Sequence, residues 1–134
     1  MELSHVGIAV RSIEERLRLW RDVLGLRVEV LEEVTEQKVR VAILSVGEVN
    51  IELLEPITED SPIAKFIAKR GEGLHHLSFE VDDIEKKIRE LEKNNVKMID
   101  RVPRQSFHGA RIAFIHPSST GGVLIEISQG LVKD

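Results

Sequence analysis

Four side chains of this 134-residue chain, His5, Glu52, His76 and Glu126, are of types that ligate cations or move protons, and they recur at matched points of the sequence. Ser4-His5-Val6-Gly7-Ile8-Ala9-Val10 returns as His75-His76-Leu77-Ser78-Phe79-Glu80-Val81 at an offset of 71. Val49-Asn50-Ile51-Glu52-Leu53 returns as Val123-Leu124-Ile125-Glu126-Ile127 at an offset of 74. The chain has no cysteine, so any metal must be held by His, Asp or Glu. Two imidazoles and two carboxylates suit a divalent ion such as Co2+, Mn2+, Ni2+ or Zn2+, with room for water or substrate if the geometry is octahedral. Each residue alone has a plainer reading. A histidine opening a strand is more often a hydrogen-bonded edge residue, and Glu52 alone is better explained by an ion pair with an arginine such as Arg40 than by metal binding. Recurrence of all four at aligned positions favours the metal.

The elements that must carry these residues follow from the same repeat. Alternating apolar positions make each histidine segment a strand, with Val6, Ile8 and Val10 on one face and His5, Gly7 and Ala9 on the other. The second copy puts Leu77, Phe79 and Val81 on the first face and His76, Ser78 and Glu80 on the second, so His76 shares the environment of His5 while His75 faces away. Parity likewise turns Glu52 and Glu126 away from the apolar face, mid-strand, where a desolvated carboxylate is costly unless something neutralises it. Ser12, Ile13, Leu17 and Trp20 align with Asp83, Ile84, Ile88 and Leu91. This predicts two amphipathic helices with N-caps at Ser12 and Asp83 and left-handed exits at Gly25 and Asn94-Asn95. Arg40–Leu44 aligns with Arg111–Ile115, and Arg27 to Glu32 and Lys97 to Arg101 complete each half as extended stretches. Ser61, Pro62, Ile63, Phe66 and Ile67, ending at Gly71 and Gly73, predict a linker helix.

The fold expected is therefore α+β, a single domain over residues 1–134. Two tandem βαβββ modules, about 1–56 and 73–130 with a linker helix at 61–71, form a curved mixed eight-stranded sheet around a metal cleft, helices outside. A net charge of -4 gives no positive field for nucleic acid or an anionic membrane, and no run approaches the ~18 apolar residues of a membrane span. With neither an N-terminal targeting pattern nor cysteines, a cytoplasmic protein is expected. His108 and His116 read as turn residues without a catalytic role. Lys65, Lys69 and Arg70, like Glu85 to Lys93, read as solvated helix faces.

Taken together, the paired modules and the four ligand candidates resemble the vicinal oxygen chelate superfamily across nearly the whole chain. Within it, Ile51-Glu52-Leu53-Leu54-Glu55-Pro56, the segment Gly73 to Ile84, the linker helix beginning Ser61-Pro62-Ile63-Ala64-Lys65, and His116-Pro117-Ser118 with Gly121 to Glu126 are similar to the methylmalonyl-CoA epimerases. The resemblance implies epimerisation of (R)- and (S)-methylmalonyl-CoA, a step of propionate metabolism. The C2 proton is removed through a metal-stabilised enolate and returned on the opposite face. It implies one divalent ion per chain, Co2+ favoured, on His5, Glu52, His76 and Glu126, and a homodimer. Glu126 would be both ligand and acid/base group. Some relatives carry glutamine at the Glu52 position and a second glutamate at the position of Val41, which cannot move a proton, so Glu52 is the expected opposing base. The phosphates of CoA need basic side chains, for which Lys65, Arg101, Arg104 and Arg111 are equivalent candidates. Glyoxalase I (lactoylglutathione lyase) shares the fold and ligand set and is the alternative. A ring-cleaving dioxygenase needs only two His and one carboxylate, and a passive binding protein has no need of four ligands.

Overall fold

The computed structural model describes residues 1–106 and 109–130, with eight strands and three α-helices among them. His108 lies outside the described residues. The chain divides into two compact units, His5–His75 and Met1–Ser4 together with the residues from His76 onward. No helix among the described residues is long and apolar enough to cross a membrane.

In the unit His5–His75, strand β1 (Glu2–Ala9), whose first residues cluster with the other unit, leads to helix α1 (Ile13–Leu17), then β2 (Arg27–Val34), β3 (Val39–Val46) and β4 (Val49–Pro56), and the linker helix α2 (Pro62–Arg70) follows. Strand order is β2-β3-β4-β1, with β1 parallel to β4 and the other pairs antiparallel. Val10, Ile13, Leu17, Ala42, Leu44 and Leu53 form the core, with Ile8, Trp20 and Ile51 packed against it, so the alternation predicted for β1 and β4 sorts the faces correctly. Ser12 caps α1 by accepting from the Glu15 N–H at 3.2 Å.

The first helix departs from expectation after Leu17. Arg18–Val23 continues as a π-helix in which the Leu24 N–H donates to the Leu19 carbonyl at 2.8 Å, and Gly25 then takes the predicted left-handed exit at φ 81°. Apolar spacing of three and four describes an α-helix and cannot register the one residue per turn by which a π-turn is wider. The linker helix is as predicted, with Ser61 accepting from the Ile63 N–H at 3.2 Å and Ile63 and Ile67 buried.

The second unit repeats the scheme with β5 (Gly73–Glu80), α3 (Ile84–Lys93), β6 (Arg104–Gln105), β7 (Arg111–Ile115) and β8 (Ile125–Gln129), in the order β5-β8-β7-β6. The first residues of β5 cluster with the other unit. Asp83 caps α3, Asn95 supplies the left-handed exit at φ 63°, and Val81, Ile84, Ile88, Met98, Ala113, Ile115 and Ile127 form the core.

One predicted strand needs correction here. Lys97 to Arg101 is not a strand. Met98 makes one bridge to Ile115, and pairing resumes only at Arg104 opposite Ile112, so five intervening residues on one side face two on the other. Pro103 has no N–H to give the ladder, and Asp100 folds its own carboxylate onto the Phe114 N–H at 2.9 Å, taking the place a backbone carbonyl would fill. The expected closing strand that carries Glu126 is Ile125–Gln129, beginning there because Pro117–Ser119 is a 3-10 turn and Gly121 and Gly122 follow at φ 75° and 101°. The chain straightens only beyond them.

Candidate active site

The last strand of each unit places its glutamate in the same way. Glu52 of β4 lies between Gly7 of β1 and Ile43 of β3, and Glu126 of β8 lies between Ser78 of β5 and Phe114 of β7. Gly7 and Ser78, like Ile43 and Phe114, are separated by the same 71 residues as the two histidines, so the repeat read in sequence is reproduced in hydrogen-bonding register. Both glutamates stand on the sheet face away from the helix-covered core, and both are buried, at 7% and 6% exposure.

In the unit His5–His75, His5 Nδ1 approaches Glu52 Oε2 at 3.1 Å. Arg40 is not the partner of Glu52. It faces Glu55 across the β3–β4 ladder, and its guanidinium reaches Glu14 and Glu55 at 3.8 and 3.9 Å. Strand parity turns it to the helix side, which explains why proximity in sequence misleads. Val41 is buried two residues from Ile43 and so shares the face of Glu52 without contributing a polar atom.

In the second unit the ligand atoms of His76 and Glu126 lie within 4.8 Å of one another, and the buried Ser78 hydroxyl donates to Glu126 Oε1 at 2.7 Å. Burial pushes the Glu126 carboxyl above the usual carboxylate range. The Ser78 hydrogen bond and the Arg104 charge pull it back, and Asp100 adds to the push. Arg104 is held beside Phe114, its guanidinium 5.3 Å from the ring centroid and 3.4 Å from Asp100, and Phe114 meets His76 edge-on at 6.0 Å. Sequence reasoning named Arg104 only as one basic candidate and missed Asp100 and Phe114 altogether. The bulge that positions them has no periodic signal. Ser78 was legible by parity, on the face of His76, but nothing in the sequence gave it a role.

His75 points elsewhere, its ring edge-on to Phe66 of the linker helix at 4.9 Å, and burial lowers its pKa to about 4. His116 is the predicted turn residue, with Nδ1 accepting from the Ser118 N–H at 3.0 Å. Lys65, Lys69 and Arg70 are exposed on the linker helix, and Arg101 and Arg111 pair with Glu92 and Glu85.

Each unit thus offers one imidazole and one buried carboxylate on a single sheet face. Buried carboxylates beside imidazoles are chemically suited to a divalent cation, and a carboxyl raised by burial is suited to accepting and returning a proton.

Residues 4–114 match the family model described as the glyoxalase/bleomycin resistance protein/dioxygenase superfamily. The chain is 45% identical to the uncharacterized protein YqjC of Bacillus subtilis over 95% of its own length and 91% of that protein. It is 36% identical to the mitochondrial methylmalonyl-CoA epimerase of Mus musculus, over 95% of this chain and 72% of the relative. Among solved structures, a single-substitution variant of the Streptomyces coelicolor methylmalonyl-CoA epimerase in complex with 2-nitronate-propionyl-CoA superposes with a TM-score of 0.91 at 32% identity, over 100% of this chain and 97% of that one.

Proposed function

The chain belongs to the glyoxalase/bleomycin resistance protein/dioxygenase superfamily and, within it, to the methylmalonyl-CoA epimerases, and from that footing we propose that it interconverts (R)- and (S)-methylmalonyl-CoA using one divalent ion per chain. The observation that carries this reading is the buried carboxylate with an imidazole on its sheet face, built twice in a chain that aligns over 95% of its own length with known epimerases. His5, Glu52, His76 and Glu126 would hold the ion. When bound, it supplies a Lewis acid that favours negative charge on the substrate's carbonyl oxygens.

The remaining chemistry belongs to the protein. Epimerisation inverts C2, so the proton must leave on one face of the substrate and return on the other, and two acid/base groups are required. Glu126 takes one role, its proton affinity raised by burial so that a carboxylate can act on a weakly acidic carbon. Glu52 takes the other, because Val41 offers no proton-transfer group on that face. Arg104, exposed and cationic at the edge of the second unit, is suited to an anionic part of the substrate. Cobalt is the preferred ion, and a cytoplasmic homodimer accompanies the family reading.

The test is a pair of assays on protein purified without chelator. One follows conversion of each methylmalonyl-CoA epimer with deuterium incorporation at C2 in D2O, and the other follows the methylglyoxal–glutathione hemithioacetal. We expect epimerisation with C2 exchange and no turnover of the hemithioacetal. Turnover of the hemithioacetal alone would assign the chain to lactoylglutathione lyase instead, and turnover of neither would leave a binding protein.

A further inference from the structure

The two carboxylates occupy equivalent positions in the repeats but meet different neighbours across the parallel ladder. Opposite Glu52 stands Gly7, which has no side chain, whereas opposite Glu126 stands Ser78, wholly buried at 0% exposure with its hydroxyl 2.7 Å from Glu126 Oε1. A wholly buried hydroxyl is costly to desolvate unless it is bonded, and this one is bonded to a carboxylate, which makes the bond short and directional. At the matching point of the other unit the strand pairs with its glutamate through Gly7, without any side chain.

We propose that Ser78 is a positioning residue that fixes the rotation of the Glu126 carboxylate by holding Oε1, so that Oε2 is presented in one set direction. The inference rests on the reading of Glu126 as ligand and acid/base group, and it goes beyond that reading by assigning to the second unit a built-in constraint on its glutamate that the matching serine-free position of the first unit lacks. Its physical content is rotational. A carboxylate held by one oxygen does not exchange its two oxygens between partners, and a bond or a proton transfer made by the other oxygen begins from one orientation rather than a distribution of them. The duplicated chain therefore treats its two carboxylates unequally, holding Glu126 by a fixed hydroxyl and Glu52 from the side by the His5 imidazole.

The test compares wild type with S78A and S78T, each first shown to melt cooperatively. S78C, which keeps the volume and weakens the donor, replaces S78A should the latter unfold. Affinity for Co2+ alone is measured by competition with a chelator and by the visible absorption of the bound ion, and kcat and KM for methylmalonyl-CoA are measured on metal-saturated protein. We expect S78A to bind Co2+ roughly 10- to 100-fold more weakly with an altered spectrum. On saturated S78A, kcat falls by about tenfold while KM stays within about twofold. S78T, which retains the hydroxyl, recovers most of both. Wild-type affinity, spectrum and kcat in S78A overturn the proposal, as does S78T failing to recover any of them while melting like wild type, since the loss would then follow packing. If wild type itself neither binds Co2+ nor epimerises the substrate, it is the functional reading that fails.

Discussion

Glu52 differs from Glu126 in what it can do once substrate is present. Its partner His5 sits 3.1 Å away and Gly7 adds no side chain across the ladder, so β1 holds its carboxylate through an imidazole rather than a fixed hydroxyl. If Glu52 is the second acid/base group, Glu52→Gln keeps the shape and a ligating oxygen but removes the proton acceptor. Epimerisation should then fall at least ~100-fold, with metal content by elemental analysis still near one ion per chain. Deuterium exchange from one epimer should survive better than inversion, because Glu126 still serves its own face. Near-normal inversion with metal intact removes Glu52 from proton transfer. At this scale the sequence was informative wherever a residue type recurred under a fixed parity, which covered His5, Glu52, His76 and Glu126. It was uninformative where a role depends on a neighbour brought in by register, as with Ser78, or by an irregular segment, as with Asp100 and Phe114.

The elements show a further duplication that periodicity alone does not reveal. At the end of β4, Glu55 accepts the Ile13 N–H through Oε1 at 2.8 Å, and at the end of β8, Gln129 accepts the Ile84 N–H at 3.0 Å. Each closing strand thereby satisfies a first-turn N–H of the helix that follows the opening strand, a group the helix cannot satisfy itself. Ser12 and Asp83 serve other N–H groups of the same turns, so each helix start is held from its own cap and from the sheet. Glu55→Ala and Gln129→Ala should each lower stability by about 1–2 kcal/mol, read as a drop of roughly 3–6 °C in melting temperature. Glu55→Gln should cost much less, since it keeps the acceptor and loses only the favourable charge at the helix N-terminus and the loose 3.9 Å ion pair with Arg40. Loss of less than ~0.3 kcal/mol in both alanine variants would show these bonds to be replaceable by water. Helix starts, exits and the core faces of β1, β4 and β8 were readable because caps and alternation are local. The π-turn at Arg18–Val23 and the broken pairing of Lys97 to Arg101 were not, because apolar spacing does not distinguish a π-turn from an α-turn and because a side chain there substitutes for backbone.

For the molecule as a whole, duplication has a thermodynamic consequence if the ligands of both units serve one ion. Neither unit then holds a complete set, and binding to the folded chain adds RT ln(1 + [L]/Kd) to its stability, about 2.7 kcal/mol at a free-ion concentration of 100 Kd. Protein stripped with a chelator should lose epimerase activity, melt several degrees lower, and regain both on titration with Co2+ or Mn2+ to one equivalent per chain. His5→Ala and His76→Ala make the sharper comparison, because one lies in each unit. A shared ion predicts that either variant weakens a single binding event of unit stoichiometry and abolishes the metal-dependent rise in melting temperature. Two independent half-sites predict instead that each variant removes one weak event and leaves the other unchanged. Isothermal titration with Co2+ of wild type and both variants distinguishes the two. A melting temperature indifferent to metal in wild type would mean that the buried glutamates are neutralised by protonation and by their imidazole and hydroxyl neighbours alone.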